Sequence, residues 1–133
     1  MSSKKGFTLI ELVLVIAVIA ILAAVIAPKF MSQMPKAKIS ATKQNLENLR
    51  SALGVYVAEG NQYPNNPAAL RAALVPKYMR DIPYETISEP KNNTISPCGG
   101  NSGWCYRLIS GTDWEIYLNK QGADVLGELY SKY

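Results

Sequence analysis

The chain has 133 residues, 14 basic and 10 acidic, with 48% apolar residues, two cysteines and no histidine. That length holds one small domain beside any membrane segment, and the missing histidine excludes Ser-His-Asp and Cys-His catalysis. The formal charge of +4 is uneven: Lys4 and Lys5 contribute two charges, residues from Gly60 onward balance to zero, and the excess lies at Lys29, Lys36, Lys38, Lys43 and Arg50. This is the pattern of a stretch facing solvent or lipid headgroups, and nucleic acid is not an expected partner.

In chain order, Met1-Ser2-Ser3-Lys4-Lys5-Gly6 is short and basic, and the apolar run Phe7 to Ala27 follows at once. As a helix these 21 residues rise roughly 30 Å, about one hydrocarbon core. Glu11 is the one carboxylate in the run, and placing it there costs on the order of 2.5–3.5 kcal/mol, the mark of a functional residue with a partner. Nothing within the span is expected to pair with it. The partner is sought in the chain's own N-terminus, another subunit or the lipid interface. A conventional signal peptide cut after Ala23, Ala24 or Ala27 is the plain alternative; Glu11 and the length of the run argue against it.

Lys5-Gly6-Phe7-Thr8-Leu9-Ile10-Glu11-Leu12 resembles the class III signal of type IV prepilins and type II secretion pseudopilins. The resemblance is strong over residues 4–30 and fades beyond residue 84. It implies cleavage between Gly6 and Phe7 by a membrane prepilin peptidase, N-methylation of Phe7, and neutralisation of the Phe7 amine of a neighbouring subunit by Glu11. It also implies a helix break at Pro28, with unwinding around Ala20 to Pro28 in the filament. The implied partners are other copies in a helical homopolymer, the peptidase, an inner-membrane assembly platform, minor pilins or pseudopilins, and membrane lipid before assembly. The implied location is the bacterial inner membrane, single-pass with a periplasmic C-terminal domain, and then a periplasmic pseudopilus or an extracellular pilus. A count of flanking lysines alone gives the opposite orientation.

Pro35 to Glu59 reads as an amphipathic helix, with Ile39, Thr42, Leu46, Leu49, Leu53 and Tyr56 at steps of 3 and 4 and Val57 alongside. Pro28 removes one amide hydrogen bond, so a kink or local melting is expected where span and stem join. The two form one bent helix of about 50 residues. Asn66 caps a short helix that begins at Pro67 and ends before Pro76. Five prolines between 64 and 90 keep that region out of regular sheet. Trp104 to Ile109 and Trp114 to Asn119 form a hairpin around Ser110-Gly111-Thr112-Asp113, with Trp114, Ile116 and Leu118 on one face. Val125, Leu126, Leu129 and Tyr130 fit a short closing helix.

Cys98 and Cys105 are spaced wrongly for a CxxC redox or zinc pair, and no histidine completes a metal site. A disulfide closing the glycine-rich loop is expected, which places the domain in an oxidising compartment. Some major pseudopilins hold calcium in an acid-containing C-terminal loop. Here there is no dense run of aspartates, only the isolated Asp113 and Asp124, so no metal and no cofactor is expected. Asp113 and Glu115 read as turn and solvent-face residues, and Asn92-Asn93-Thr94 matches a glycosylation pattern too short to carry a claim.

The expected fold is α+β and pilin-like, a long N-terminal helix packed on a small antiparallel sheet. Its divisions are a leader (1–6), a membrane and assembly helix (7–28), an amphipathic stem (29–59) and a globular head (60–133). The expected function is structural, not enzymatic: a subunit of a type IV pilus-like filament, or alternatively a pseudopilin of a type II secretion system. A monomeric membrane-anchored periplasmic binding domain is the rival from another class.

Overall fold

A computed structural model describes residues 6–125, 127–130 and 133; the leader residues Met1 to Lys5 therefore lie outside the described residues. Helix α1 spans Leu9–Ala58, 50 residues, α2 spans Pro67–Leu74, and three strands follow: β1 Ile95–Ser96, β2 Trp104–Ser110 and β3 Asp113–Leu118. The chain divides into two compact units, one ending at Met34 and the other running from Pro35 to Tyr133.

The single helix of 50 residues expected for span and stem forms, and no local melting is seen at Pro28. The helix runs unbroken through Pro28 and Pro35. Each proline deletes one amide donor, but the flanking residues stay helical. In the first unit every described residue is exposed. The second unit holds the core. Ile39, Leu46, Leu49, Ala52 and Leu53 of α1 pack with Leu70 and Leu74 of α2, Ile82, and the sheet residues Trp104, Tyr106, Ile116 and Leu118. The stem stripe is the one expected from the 3–4 spacing, with Ala52 added and Tyr56 and Val57 at its margin.

Helix α2 begins as its sequence implies. Pro67 needs no amide partner at the first position, and the Asn66 side chain accepts from the Ala69 amide at 2.8 Å. The hairpin of β2 and β3 also forms, with Tyr106 opposite Ile116 and Leu108 opposite Trp114. One feature of the sheet departs from expectation: it is mixed, because Ile95 and Ser96 pair parallel to Trp104 and Cys105. A parallel crossover usually takes a dozen or more residues. Here only two residues pair, and the connecting loop doubles back through Gly99 and Gly103 at φ 116° and 78°. Gly103 is required twice over, since a Cβ there would meet the Thr94 carbonyl oxygen at 2.6 Å.

Among the described residues, a turn stands where the short closing helix was expected near the C-terminus. Ala123 bridges Leu129, and Asp124 accepts the Glu128 amide on its side chain (3.0 Å) while its own amide reaches the Glu128 carbonyl (2.9 Å). That local bonding competes with helix, and Gly122 and Gly127 take positive φ on either side. Val125 and Leu129 are exposed, Tyr130 and Tyr133 are buried, and Leu126 lies outside the described residues.

Candidate processing and assembly site

Thr8 stands just before the first helical residue, and Glu11 stands three positions on, the spacing of a capping box. Glu11 Oε2 accepts from the Thr8 amide at 2.9 Å and from the Thr8 hydroxyl at 2.8 Å. The same hydroxyl accepts the Glu11 amide at 3.3 Å. The expectation that the span holds no partner for Glu11 is therefore corrected: Thr8 supplies one. The signal was present in the sequence as Thr-x-x-Glu. Both bonds to the carboxylate use Oε2, and Oε1 makes none among the described residues.

Around this polar knot the surface is almost wholly apolar. Phe7 and Leu9 are each 81% exposed, and the run from Leu12 to Ile26 is exposed throughout. Full burial of a Val, Leu, Ile or Phe side chain contributes about 1.5–3 kcal/mol. A helix with this many exposed apolar residues needs a bilayer or other helices around it. It is long and apolar enough to cross a membrane. Among the described residues, nothing lies within 4 Å of where a Cβ on Gly6 would sit.

Past the span, the basic stretch is less free than its composition implied. Lys38 pairs with Glu89, Lys43 with Glu128 at 2.6 Å, and Arg50 with Glu47 at 2.9 Å and Glu115 at 3.7 Å. Arg50 Nε also donates to the Ile116 carbonyl at 3.0 Å, which ties α1 to β3. Among the described residues only Lys29 and Lys36 of this group face solvent without an ion pair. The ammonium of Lys38 holds the Glu89 carboxyl below the usual carboxylate range. Hydrogen bonds from Lys77 and from Tyr78 do the same for Glu59 at the end of α1.

The structure joins Cys98 to Cys105. Two residues that the sequence reading passed over organise the loop and its surroundings. Asn119 Oδ1 accepts from the amides of Gly99 (3.1 Å) and Gly100 (2.9 Å), while its Nδ2 donates to Ser96 Oγ at 2.9 Å. Buried Glu85 takes the amides of Ile87 and Ser88 on Oε2, both at 3.1 Å, and its Oε1 has no partner among the described residues. No local pattern marks Asn119, whose partners lie about twenty residues away, whereas Glu85 bonds amides only two and three residues on. Asn92 is engaged internally: Oδ1 accepts from the Thr94 amide and hydroxyl, and Nδ2 donates to Ser102. Asp113 and Glu115 are not brought together as a pair; Glu115 faces Arg50 and accepts from the Tyr117 hydroxyl at 2.6 Å.

Comparison with known proteins agrees with both halves of this picture. Residues 1–27 match the family described as a prokaryotic N-terminal methylation motif, and residues 29–92 match protein G of the type II secretion system. The chain is 32% identical over 103 residues to the type IV wide pilus major component PilA4 of Thermus thermophilus, covering 77% of this chain and 79% of that protein. It is 30% identical over 128 residues to the type II secretion system core protein G of Klebsiella michiganensis, covering 92% and 85%. With the corresponding protein of Pseudomonas aeruginosa it shares 35% over 69 residues, about half of each chain (52% and 49%). No solved structure matches it. The N-terminal methylation motif, the exposed apolar helix carrying Glu11 and the relatives along most of its length identify the chain as a member of the type IV pilin and type II secretion pseudopilin family.

Proposed function

We propose that this chain is the building block of a type IV pilus-like filament, cut between Gly6 and Phe7, methylated on the new Phe7 amine, and assembled through Glu11. Residues 1–6 act as leader, 7–28 as membrane and assembly helix, 29–59 as stem and 60–133 as head. Before assembly the chain crosses the inner membrane once with its head in the periplasm, and lipid covers the helix. The disulfide supports that orientation, since such bonds persist in oxidising compartments. Its further partners are the prepilin peptidase, an inner-membrane assembly platform and minor subunits. Its role is mechanical, not catalytic.

The observation that carries this reading is the placement of Glu11. It is the one carboxylate in an exposed apolar helix, four residues past the new N-terminus, roughly one helical turn above it. Thr8 occupies Oε2, so Oε1 is available to the amine of a subunit offset along the axis. In a bundle of apolar helices an unpaired carboxylate or ammonium is costly, and the two together are far less so. Axial register follows from that difference. Local opening of the helix near Pro28, where the Ala24 carbonyl already lacks its amide donor, lets the spans adapt to the bundle.

The processing step is tested by mass spectrometry of the mature protein, which should begin at methylated Phe7. Mature chains beginning near Pro28 would mean a conventional signal peptide and would overturn the reading. A second reading, a secretion pseudopilus in the periplasm, is favoured by the match of residues 29–92 to protein G. A deletion strain separates them: loss of surface filaments supports the pilus, and loss of protein export with filaments intact supports the pseudopilus.

A further inference from the structure

Where the end of the β2–β3 hairpin meets the loop after α1, a cleft of about 430 Å3 opens between Gln62, Tyr63 and Asn65 on one side and Leu108, Thr112 and Trp114 on the other. That volume lies in the range of small-molecule sites. Its walls are tied together. Trp114 stacks on Tyr106 with ring centroids 4.8 Å apart and planes 25° from parallel. The Tyr106 hydroxyl donates to the Pro64 carbonyl at 2.8 Å, and Pro64 lies between Tyr63 and Asn65. The indole is thereby held by the core while its remaining surface, half-buried, lines the cleft.

The lining chemistry is specific. Among the described residues no charged side chain lines the cleft. The Trp114 indole N–H, the Tyr63 and Thr112 hydroxyls and the Gln62 amide make no hydrogen bond to any described residue. Aromatic surface ringed by uncommitted neutral donors and acceptors suits a ligand with apolar C–H faces and a hydroxylated rim. A nucleotide would also stack, but its phosphates call for cations that this lining lacks. A purely apolar ligand would leave the polar groups unpaired.

We propose that this cleft binds a neutral saccharide, with a pyranose ring against Trp114 and Tyr63 and its hydroxyls bonded to Gln62, Thr112 and the indole N–H. The site belongs to the single subunit and does not depend on assembly. Repetition along a filament, which rests on the function proposed above, would raise weak single-site binding through avidity.

The test uses the full ¹⁵N-labelled chain in a detergent without a sugar headgroup, titrated with lactose, cellobiose and diacetylchitobiose. The two indole N–H resonances are the readout. Trp104, fully buried and donating to the Pro83 carbonyl at 2.7 Å, is the internal control. At least one disaccharide should shift the Trp114 resonance saturably at millimolar concentration while Trp104 stays still. Gln62→Ala and Thr112→Ala should each weaken that binding several-fold, with the Trp104 resonance in place as proof of fold. No saturable shift with any of the three would overturn the site. So would binding unchanged in both variants, or an equal response to glucose 6-phosphate. Because the subunit is unassembled, failure here leaves the filament reading standing, and a filament defect leaves this one standing.

Discussion

Within α1, every described residue from Leu9 to Met34 is exposed, while Ile39, Thr42, Leu46, Leu49, Ala52 and Leu53 further along are buried against α2 and the sheet. The first segment is apolar on all sides, so one subunit has no way to cover it. The second confines its apolar residues to one stripe, which its own head covers. One helix therefore carries two kinds of incompleteness, one satisfied within the chain and one that only lipid or other copies can satisfy. Changes in the first segment should alter assembly and leave the head's stability alone, and changes in the second should do the reverse.

The largest expected effect is at Glu11. Glu11→Ala should insert into the membrane normally, since it removes a costly charge, and the head should melt as in the wild type. Filaments should nevertheless be absent by electron microscopy, or the variant poorly incorporated when mixed with wild-type subunits. Assembly at wild-type yield would remove Glu11 from the register role. Next is Leu49, fully buried in the stem stripe. Leu49→Ala should cost the head about 2–5 kcal/mol by denaturant titration, with processing and membrane insertion intact. An unchanged denaturation midpoint would mean that the head does not rely on the stem.

Cys98→Ser releases the loop around Asn119 and should cost about 2–3 kcal/mol by the chain-entropy estimate, read as a lower melting temperature with helix content retained by circular dichroism. The smallest effect is alkaline. Burial raises the pKa of Tyr106, and burial together with the Asp124 hydrogen bond raises that of Tyr133. A group whose folded pKa is raised contributes fully below its unfolded value and loses that contribution as pH climbs above it. Head stability should therefore be flat up to about pH 10 and decline beyond it. Tyr106→Phe should flatten part of that decline, at the cost of leaving the Pro64 carbonyl without its donor.

Elements built on short-range periodicity were readable from the chain. The stem stripe from Ile39 to Tyr56, the Asn66–Pro67 helix start and the alternation of Trp114, Ile116 and Leu118 all repeat at spacings that depend on backbone geometry alone. Thr8 was equally local, as a capping-box partner of Glu11 that offers a hydroxyl and an amide in place of a charge. Asn119 was out of reach, because folding brings its partners to it, and the local turn closed by Glu85 carries no periodic signal. The parallel pairing of Ile95 and Ser96 was hidden for the same reason, and the C-terminal turn followed Asp124 and two glycines over an apolar pattern that also fits a helix.

By itself the sequence determined that this chain carries an apolar N-terminal helix with one carboxylate, an amphipathic stem, a hairpin and a cysteine-closed loop, since each is written in residues no more than a few turns apart. Tertiary structure decided which lysines are paired, how the third strand joins the sheet, and that a neutral aromatic cleft forms between Tyr63 and Trp114. Those outcomes depend on segments that folding brings to hydrogen-bonding distance, as with the Tyr106 hydroxyl and the Pro64 carbonyl or Arg50 and the Ile116 carbonyl, and no local pattern encodes such meetings.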